Sequence, residues 1–302
     1  MQIAFATTTE DVLKGEDTDR GFHDEAFARA GIKLDHLVWW DSGIQWIDYQ
    51  LVVIRSPWDY VERLSEFRRW IHNVDTFGTL RNPAPLVEWN LDKSYLLELA
   101  ALGIPITPTQ MALNATDARR ALASSGGEVV VKPVISAGSR KTGRFAHDDP
   151  GASALAEQIL AQGTPVMIQP CVASVEKDGE TSAILFNGSI SHAVRKGPIL
   201  AKGGGFLGGQ YAEEITPASL TDQQRKVVSE TAAVLARLVS ERFGIETPIL
   251  YARVDLVTLD DGSQAVLEVE LAEPSLFLST DRESAGRFVA AVEEHVHQAG
   301  AR

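Results

Sequence analysis

Cysteine is nearly missing from this chain: Cys171 is the only one in 302 residues, which excludes an internal disulfide framework and a thiolate zinc site. No apolar run approaches the ~20 residues that a membrane-spanning helix requires. The start, MQIAFATTTEDV, has neither a basic n-region nor a small-residue cleavage site, so the expectation is a protein kept in the reducing cytoplasm. The H-E-x-x-H spacing is absent, and His295 and His297 lie two apart on a predicted helix where they cannot share a face. No histidine metal site is expected. Positive charge is also short, with 28 Lys plus Arg against 41 Asp plus Glu and a net charge of −13. Such a field repels nucleic acid, and a bound nucleotide would need locally placed cations.

What is present supports a folded α/β chain: 44% of residues are apolar, enough for a substantial core. The six tryptophans (Trp39, Trp40, Trp46, Trp58, Trp70, Trp89) all lie in the first 89 residues, a composition shift that marks a first lobe. Short apolar runs at Ile3–Ala6, Leu37–Trp40 and Leu51–Ile54 alternate with predicted helices around Phe22–Ala30 and Leu64–Val74, which reads as parallel βαβ units. Polar residues follow two of these strands, Thr7-Thr8-Thr9 and Arg55-Ser56-Pro57-Trp58-Asp59-Tyr60. Ligands of open α/β sheets gather beyond the carboxyl ends of strands, which makes Arg55, Ser56, Asp59 and Tyr60 candidate substrate contacts. Ordinary turn chemistry is the competing reading, above all for the threonines.

A Pro-rich connection, Arg81-Asn82-Pro83-Ala84-Pro85, ends the first lobe before a helix that holds Asp92 and Lys93. Further strands are expected at Glu128–Val134, Pro165–Gln169, 181–187, 190–195, 250–257 and 264–270. A helix of about 20 residues starts near Thr221, with Thr221 and Gln224 spaced as a capping box, and a last helix runs from Arg282 to His297.

Two constellations carry chemistry. In Val129-Val130-Val131-Lys132-Pro133 a lysine interrupts a buried-strand pattern, which is costly unless its ammonium meets an anion. The small-residue loop Ser136-Ala137-Gly138-Ser139-Arg140-Lys141-Thr142-Gly143 follows, suited to letting backbone amides approach phosphate; taken alone it could equally be a surface hairpin. In Arg253-Val254-Asp255-Leu256 and Leu267-Glu268-Val269-Glu270, residues two apart share a strand face, so Asp255, Glu268 and Glu270 can converge in a hairpin. Hard oxygen ligands of that kind suit Mg²⁺ bridging phosphates. A solvated acidic face is the alternative. A glycine-rich stretch, Lys202 to Gln210, includes Gly204 and Gly205 and follows Lys196; it is either a closing loop near substrate or a loop without function.

The order of these pieces, with Gln169-Pro170-Cys171-Val172, Glu176 and Glu180 between them, resembles the ATP-grasp ligases, whose members include D-alanine:D-alanine ligase and glutathione synthetase. The resemblance implies a Rossmann-like parallel-sheet lobe at 1–88, a central lobe at 89–168 and a C-terminal lobe at 169–302, the last two clamping the nucleotide. It further implies that Lys93 and Lys132 hold the ATP phosphates, that Ser136, Gly138 and Ser139 belong to a lid, and that Gln169, Pro170 and Val172 form the adenine hinge. Glu176 or Glu180 would meet the ribose. Asp255, Glu268 and Glu270 would be magnesium ligands, with Arg253, Lys132 and Lys196 acting on the transferring phosphoryl group and the substrate. Family members commonly carry Asn where this chain has Glu270, which leaves the number of metal ions open.

The segments Arg55 to Tyr60, Trp89-Asn90-Leu91-Asp92-Lys93 and Glu273-Pro274-Ser275-Leu276-Phe277 resemble a narrower group of small ATP-grasp proteins, the cycloserine synthetases or O-ureido-D-serine cyclo-ligases. That resemblance implies activation of an amino-acid carboxylate as its acyl phosphate, followed by ring closure by a nitrogen of the same molecule. A ligase joining two separate substrates would use the same motifs, and a nucleotide-binding relative without catalysis is a third reading. The expected partners are a small carboxylate and possible second copies of the chain in a homodimer; neither nucleic acid nor membrane is expected.

Overall fold

We describe a computed structural model of the chain over residues 1–138, 140–198, 204–205 and 214–300. The first apolar run forms β1 (Gln2–Thr7), and the chain continues through α1 (Glu10–Leu13), α2 (Arg20–Arg29), β2 (Lys33–Val38), β3 (Leu51–Ser56), α3 (Leu64–Asp75) and β4 (Leu80–Arg81). These strands make a parallel sheet in the order β2-β1-β3-β4. Every residue of β3 is buried, as expected where helices cover both faces. On one face Ala4, Ala6, Val52 and Ile54 pack with Phe67, Trp70 and Ile71 of α3 and with Trp39 and Trp46. On the other, Ile3, Phe5 and Val53 meet Phe27 of α2 and Phe288 and Val292 of the C-terminal helix. The second strand ends at Val38, two residues before the predicted end at Trp40, because Trp39 and Trp40 turn their indoles to Asp59.

Two short helices, α4 (Ala84–Leu91) and α5 (Tyr95–Ala101), lead into β5 (Gln110–Ala112), α6 (Ala115–Ser124), β6 (Glu128–Pro133), β7 (Gly143–Ala146), α7 (Pro150–Leu160) and β8 (Val166–Pro170). In β6, Val129 and Val131 face the helices α6 and α7, so the period of two sends Lys132 to the opposite, inner face. The expected boundary at 168/169 falls inside β8. We place the end of the central lobe at Cys171, whose N–H still donates to Glu128 O of β6 at 2.8 Å.

The remainder comprises α8 (Ala173–Asp178), β9 (Glu180–Phe186), β10 (Ser189–Lys196), β11 (Gly204–Gly205), β12 (Ile215–Ala218), α9 (Asp222–Phe243), β13 (Tyr251–Thr258), β14 (Gln264–Glu270) and α10 (Ser284–Gly300). An antiparallel sheet β12-β10-β9-β13-β14 forms this lobe, while β11 leaves it to pair with β7, extending the central antiparallel sheet to β11-β7-β6-β8-β5. The capping box forms as read: Thr221 N–H donates to Gln224 Oε1 at 3.0 Å and Gln224 N–H to Thr221 Oγ1 at 3.2 Å. Gly244, at φ +65, ends the helix in the left-handed region. Among the described residues no helix is long and apolar enough to cross a membrane.

The C-terminal helix ties the first lobe to the last. Arg81 Nε donates to His295 Nδ1 at 3.1 Å, which leaves the proton on Nε2 to donate to Asn187 Oδ1 at 3.0 Å. Burial, then the nearby Arg81 charge, pulls the His295 pKa down to about 4. Above pH ~6.5 both folded and unfolded chains hold this imidazole neutral. As pH falls toward 4 the unfolded chain takes up a proton that the folded one refuses, so stability declines across that window by about 3 kcal/mol. Urea unfolding at pH 7.5, 5.5 and 4.5 should show this slope, and His295→Gln should flatten it.

Candidate active site

The inner faces of β13 and β14 gather charge because alternation sends Ala252 and Val254, with Val269, into the core against α9, leaving Arg253, Asp255, Glu268 and Glu270 on the other side. Antiparallel register sets Arg253 opposite Glu270 and Asp255 opposite Glu268. Arg253 grips Asp255 with two donors, Nε to Oδ1 at 2.9 Å and Nη2 to Oδ2 at 3.0 Å, and also bonds Glu270. Lys196 Nζ lies 2.9 Å from both Asp255 Oδ2 and Glu180 Oε2. Lys93 Nζ is 3.0 Å from Glu268 Oε1 and donates to Ser136 O at 3.0 Å.

The protonation balance follows from these pairs. Burial opposes charge on Asp255, but Arg253 and Lys196 outweigh it and hold the carboxyl well below the usual range. Glu270 goes the other way: burial, joined by the charges of Glu268, Asp255 and Glu273, raises it to about 8 despite Arg253. Glu270 therefore holds a proton at neutral pH, which an arriving cation would displace. Among the described residues no three acids stand together as a metal-holding group, since lysines and Arg253 occupy the oxygens of Asp255, Glu268 and Glu270. The donor set itself, hard carboxylate oxygens, fits a divalent cation such as magnesium.

Opposite this face, Lys132 projects from β6. It is 9% exposed, and burial together with Lys93 and Lys196 lowers its pKa although Glu268 and Glu180 pull the other way. Among the described residues no carboxylate reaches within 4.0 Å of its ammonium. The loop that follows buries Ser136, turns through Gly138 at φ +59, and is tied to the first lobe by Arg140 Nη1 to Glu62 Oε1 at 2.7 Å. Ser139 lies outside the described residues. Of the glycine-rich stretch, only Gly204 and Gly205 are described, paired with Arg144 and Gly143 of β7; Lys202 and the rest fall outside.

The outer edge of β14 is paired at Val266 by the backbone of Pro105 and Thr107 and is completed further on by side chains. Tyr95 hydroxyl donates to Val269 O at 2.7 Å and accepts from Val269 N–H at 2.8 Å. Asn90 spans Val269 O (2.9 Å) and Leu271 N–H (2.7 Å), and Asn82 reaches Leu271 O (2.8 Å), Tyr251 O (3.0 Å) and Leu250 N–H (2.9 Å). These bonds set the strand that presents Glu268 and Glu270. Sequence reasoning missed Tyr95 and Asn82. It quoted Asn90 only as part of a motif, and the available signal was the pair of polar residues flanking Lys93 in otherwise apolar helices.

The remaining sequence candidates divide. Gln169 turns its amide to Thr109 Oγ1 at 2.9 Å and is buried, so its side chain is spent within the central sheet. Pro170 ends that strand, and Val172 packs with Val257 and Ala265. Glu176 sits at the rim, 3.1 Å from Arg144, while Glu180 lies deeper with Lys196. Arg144, absent from the sequence reading, is buried and also pairs with Glu128 at 2.5 Å.

In the first lobe Arg55 is only 4% exposed; it donates to Pro274 O at 2.8 Å and lies over the Tyr251 and Phe288 rings. That makes it a tether between lobes, while its Nε and Nη1 are buried without a hydrogen-bond partner and stay available to an anion at the strand end. Ser56 donates to Asp17 at 2.7 Å. Asp59 is likewise committed, accepting from Trp39 at 2.8 Å and Trp40 at 3.0 Å. Tyr60 is buried, with its hydroxyl beside Glu273.

A parallel-sheet lobe followed by two antiparallel lobes facing each other across lysines and acids is the ATP-grasp architecture. Known proteins agree. A family model described as the prokaryotic glutathione synthetase ATP-grasp domain matches residues 95–240, and one described as the D-cycloserine synthetase DcsG N-terminal domain matches 3–82. Cycloserine biosynthesis protein DcsG of Streptomyces lavendulae is 36% identical over 280 residues, 90% of this chain and 92% of that protein. The crystal structure of D-cycloserine synthetase DcsG superposes with a TM-score of 0.89 at 34% identity, covering 98% of this chain and 100% of that one. D-alanine–D-alanine ligase from Bacillus anthracis complexed with ATP shares the fold, with a TM-score of 0.66 at 15% identity over 99% of this chain and 97% of that one. The chain belongs to the D-cycloserine synthetase family of ATP-grasp ligases.

Two substitutions test the scaffold of this site. Tyr95→Phe should leave Val269 N–H buried and unpaired and cost about 2 kcal/mol in chemical denaturation. Gly179 has φ +70, and a Cβ there would lie 2.2 Å from Lys196 O. Gly179→Ala should therefore displace Lys196 and lower kcat/KM about tenfold or more in an ADP-release assay.

Proposed function

We infer that this chain is an ATP-dependent cyclo-ligase that phosphorylates the carboxylate of O-ureido-D-serine and closes the ring to D-cycloserine. The observation that carries the reading is Lys132, a buried cation without an ion-pair partner among the described residues, facing an acid-rich strand pair across the cleft. A desolvated ammonium so placed calls for an anion, and the triphosphate of ATP supplies it in a family built for that nucleotide.

In this reading Lys93 and Lys132 hold the phosphates, and Ser136, Gly138 and Ser139 close over them, with β11 bringing Gly204 and Gly205 to the same edge. The hinge from Gln169 to Val172 borders the adenine. Glu176 suits the ribose hydroxyls better than Glu180, since it stands at the rim while Lys196 holds Glu180. Asp255, Glu268 and Glu270 would hold magnesium, which supplies charge neutralisation of the triphosphate. A substrate carboxylate oxygen attacks the γ-phosphorus as the bond to the β-bridging oxygen breaks, releasing ADP. The nitrogen next to oxygen in the same molecule then attacks the acyl carbon and expels phosphate, and water removes the carbamoyl group as CO₂ and NH₃. Intramolecular attack captures much of the available entropic advantage. Arg253 is placed to stabilise charge on the transferring phosphoryl group and the acyl oxyanion. A cytoplasmic setting suits a chain with one cysteine, and a homodimer is part of the same proposal.

MgATP and O-ureido-D-serine as sole substrate should yield ADP and a product of cycloserine mass; a strict requirement for a second amine would establish the intermolecular ligase instead. Glu268→Gln should lower turnover about a hundredfold or more with circular dichroism unchanged. Lys132→Ala should raise KM for ATP.

A further inference from the structure

Glu273 is set apart from the other acids of the cleft. Glu180, Asp255, Glu268 and Glu270 each have a lysine or arginine partner. Glu273 has none within 4.0 Å among the described residues. The Tyr60 hydroxyl lies beside its carboxylate, and its main-chain carbonyl accepts from Trp58 Nε1 at 3.4 Å. It is close enough to Lys93, Arg253 and Glu268 to feel their charges, so it borders the same cleft.

The two segments that make this contact lie more than 200 residues apart in the chain, and their meeting is built in from several directions. Arg55 donates to Pro274 O beside Glu273. Asp19, 3% exposed, accepts from the backbone N–H groups of Leu276 at 2.6 Å, Phe277 at 3.2 Å and Leu278 at 2.7 Å. A carboxylate fixed this firmly against the carboxyl end of a parallel sheet, with one neutral donor and lone pairs left over, is incomplete without a cation.

We propose that Glu273, oriented by Tyr60, is the specificity residue that receives the α-ammonium of an amino-acid substrate. The inference rests on the cyclo-ligase reading above and names the subsite within it. A second magnesium ion is the other cation the cleft could hold, but the neighbours of Glu273 argue for an organic one. Its first-lobe neighbours are the aromatic residues Tyr60 and Trp58, which supply no further carboxylate for a dication and suit an ammonium. A charge-assisted bond from ammonium to carboxylate also fixes which end of the substrate faces the phosphates, placing its carboxylate toward Lys132 and Arg253.

The test measures ADP release by the full chain with saturating MgATP and two substrates, O-ureido-D-serine and its deamino analogue 3-(ureidooxy)propanoate. Glu273→Gln should raise KM for the amino acid about thirtyfold or more, and leave KM for the analogue and the half-saturating Mg²⁺ concentration as in the unsubstituted chain. Tyr60→Phe should give the same split at smaller size, and it carries the test if Glu273→Gln does not fold. Equal losses on both substrates, or a shift in Mg²⁺ half-saturation with KM unmoved, overturn the assignment. Failure of the unsubstituted chain to release ADP with O-ureido-D-serine sinks the functional reading and this inference together, whereas full activity with no split sinks the inference alone.

Discussion

The arrangement of the whole molecule answers one electrostatic problem, the confinement of four cations and five carboxylates (Lys93, Lys132, Lys196 and Arg253 with Glu180, Asp255, Glu268, Glu270 and Glu273) between two sheets. Buried charges are tolerable only in pairs with good geometry, and Arg253 and Lys196 supply that for Asp255 and Glu180. The pairing is deliberately incomplete at both ends. Lys132 has no ion-pair partner among the described residues on one lobe, and Glu270, raised to about 8, keeps a proton on the other until a cation arrives.

A site under such strain needs a rigid frame. The strand that bears Glu268 and Glu270 is an edge strand, and its outward backbone groups would otherwise face an apolar seam. Tyr95, Asn90 and Asn82 satisfy them one by one, from a segment that also delivers Lys93. The linker between lobes thus does two things at once: it completes a sheet and supplies a cation to the acid on that sheet. The same economy appears at β11, where a strand of the third lobe extends the sheet of the second.

Periodicity made the strands and the charged face legible in advance. Lys132 amid valines, Asp255 two residues from Arg253, and Glu268 two from Glu270 are patterns of period two that no helix would present, and the capping box marked the start of α9 to the residue. The resemblance to ATP-grasp ligases then named a family, which the match to DcsG bears out. What could not be read were pairings between distant segments. For Arg55, only the fold shows Tyr251, Phe288 and Pro274 packed against it from the far end of the chain. The same holds for Asp59, since two indoles from the preceding turn absorb its carboxylate. Tyr95, close to Lys93 in an apolar helix, reads as ordinary core material until its hydroxyl is found against a strand edge.

The three backbone N–H groups collected by Asp19 carry a consequence for how such enzymes diversify. Phe277, at φ +51, sits in the middle of the segment they hold, so the path of the chain beyond β14 is written partly in the first lobe. The parallel-sheet lobe is therefore not an interchangeable cassette. Recombination between relatives that swapped residues 1–82 alone would separate Asp19 and Arg55 from the loop they shape. In this chain the loop beyond β14 and the first-lobe residues that shape it form one structural unit drawn from opposite ends of the sequence.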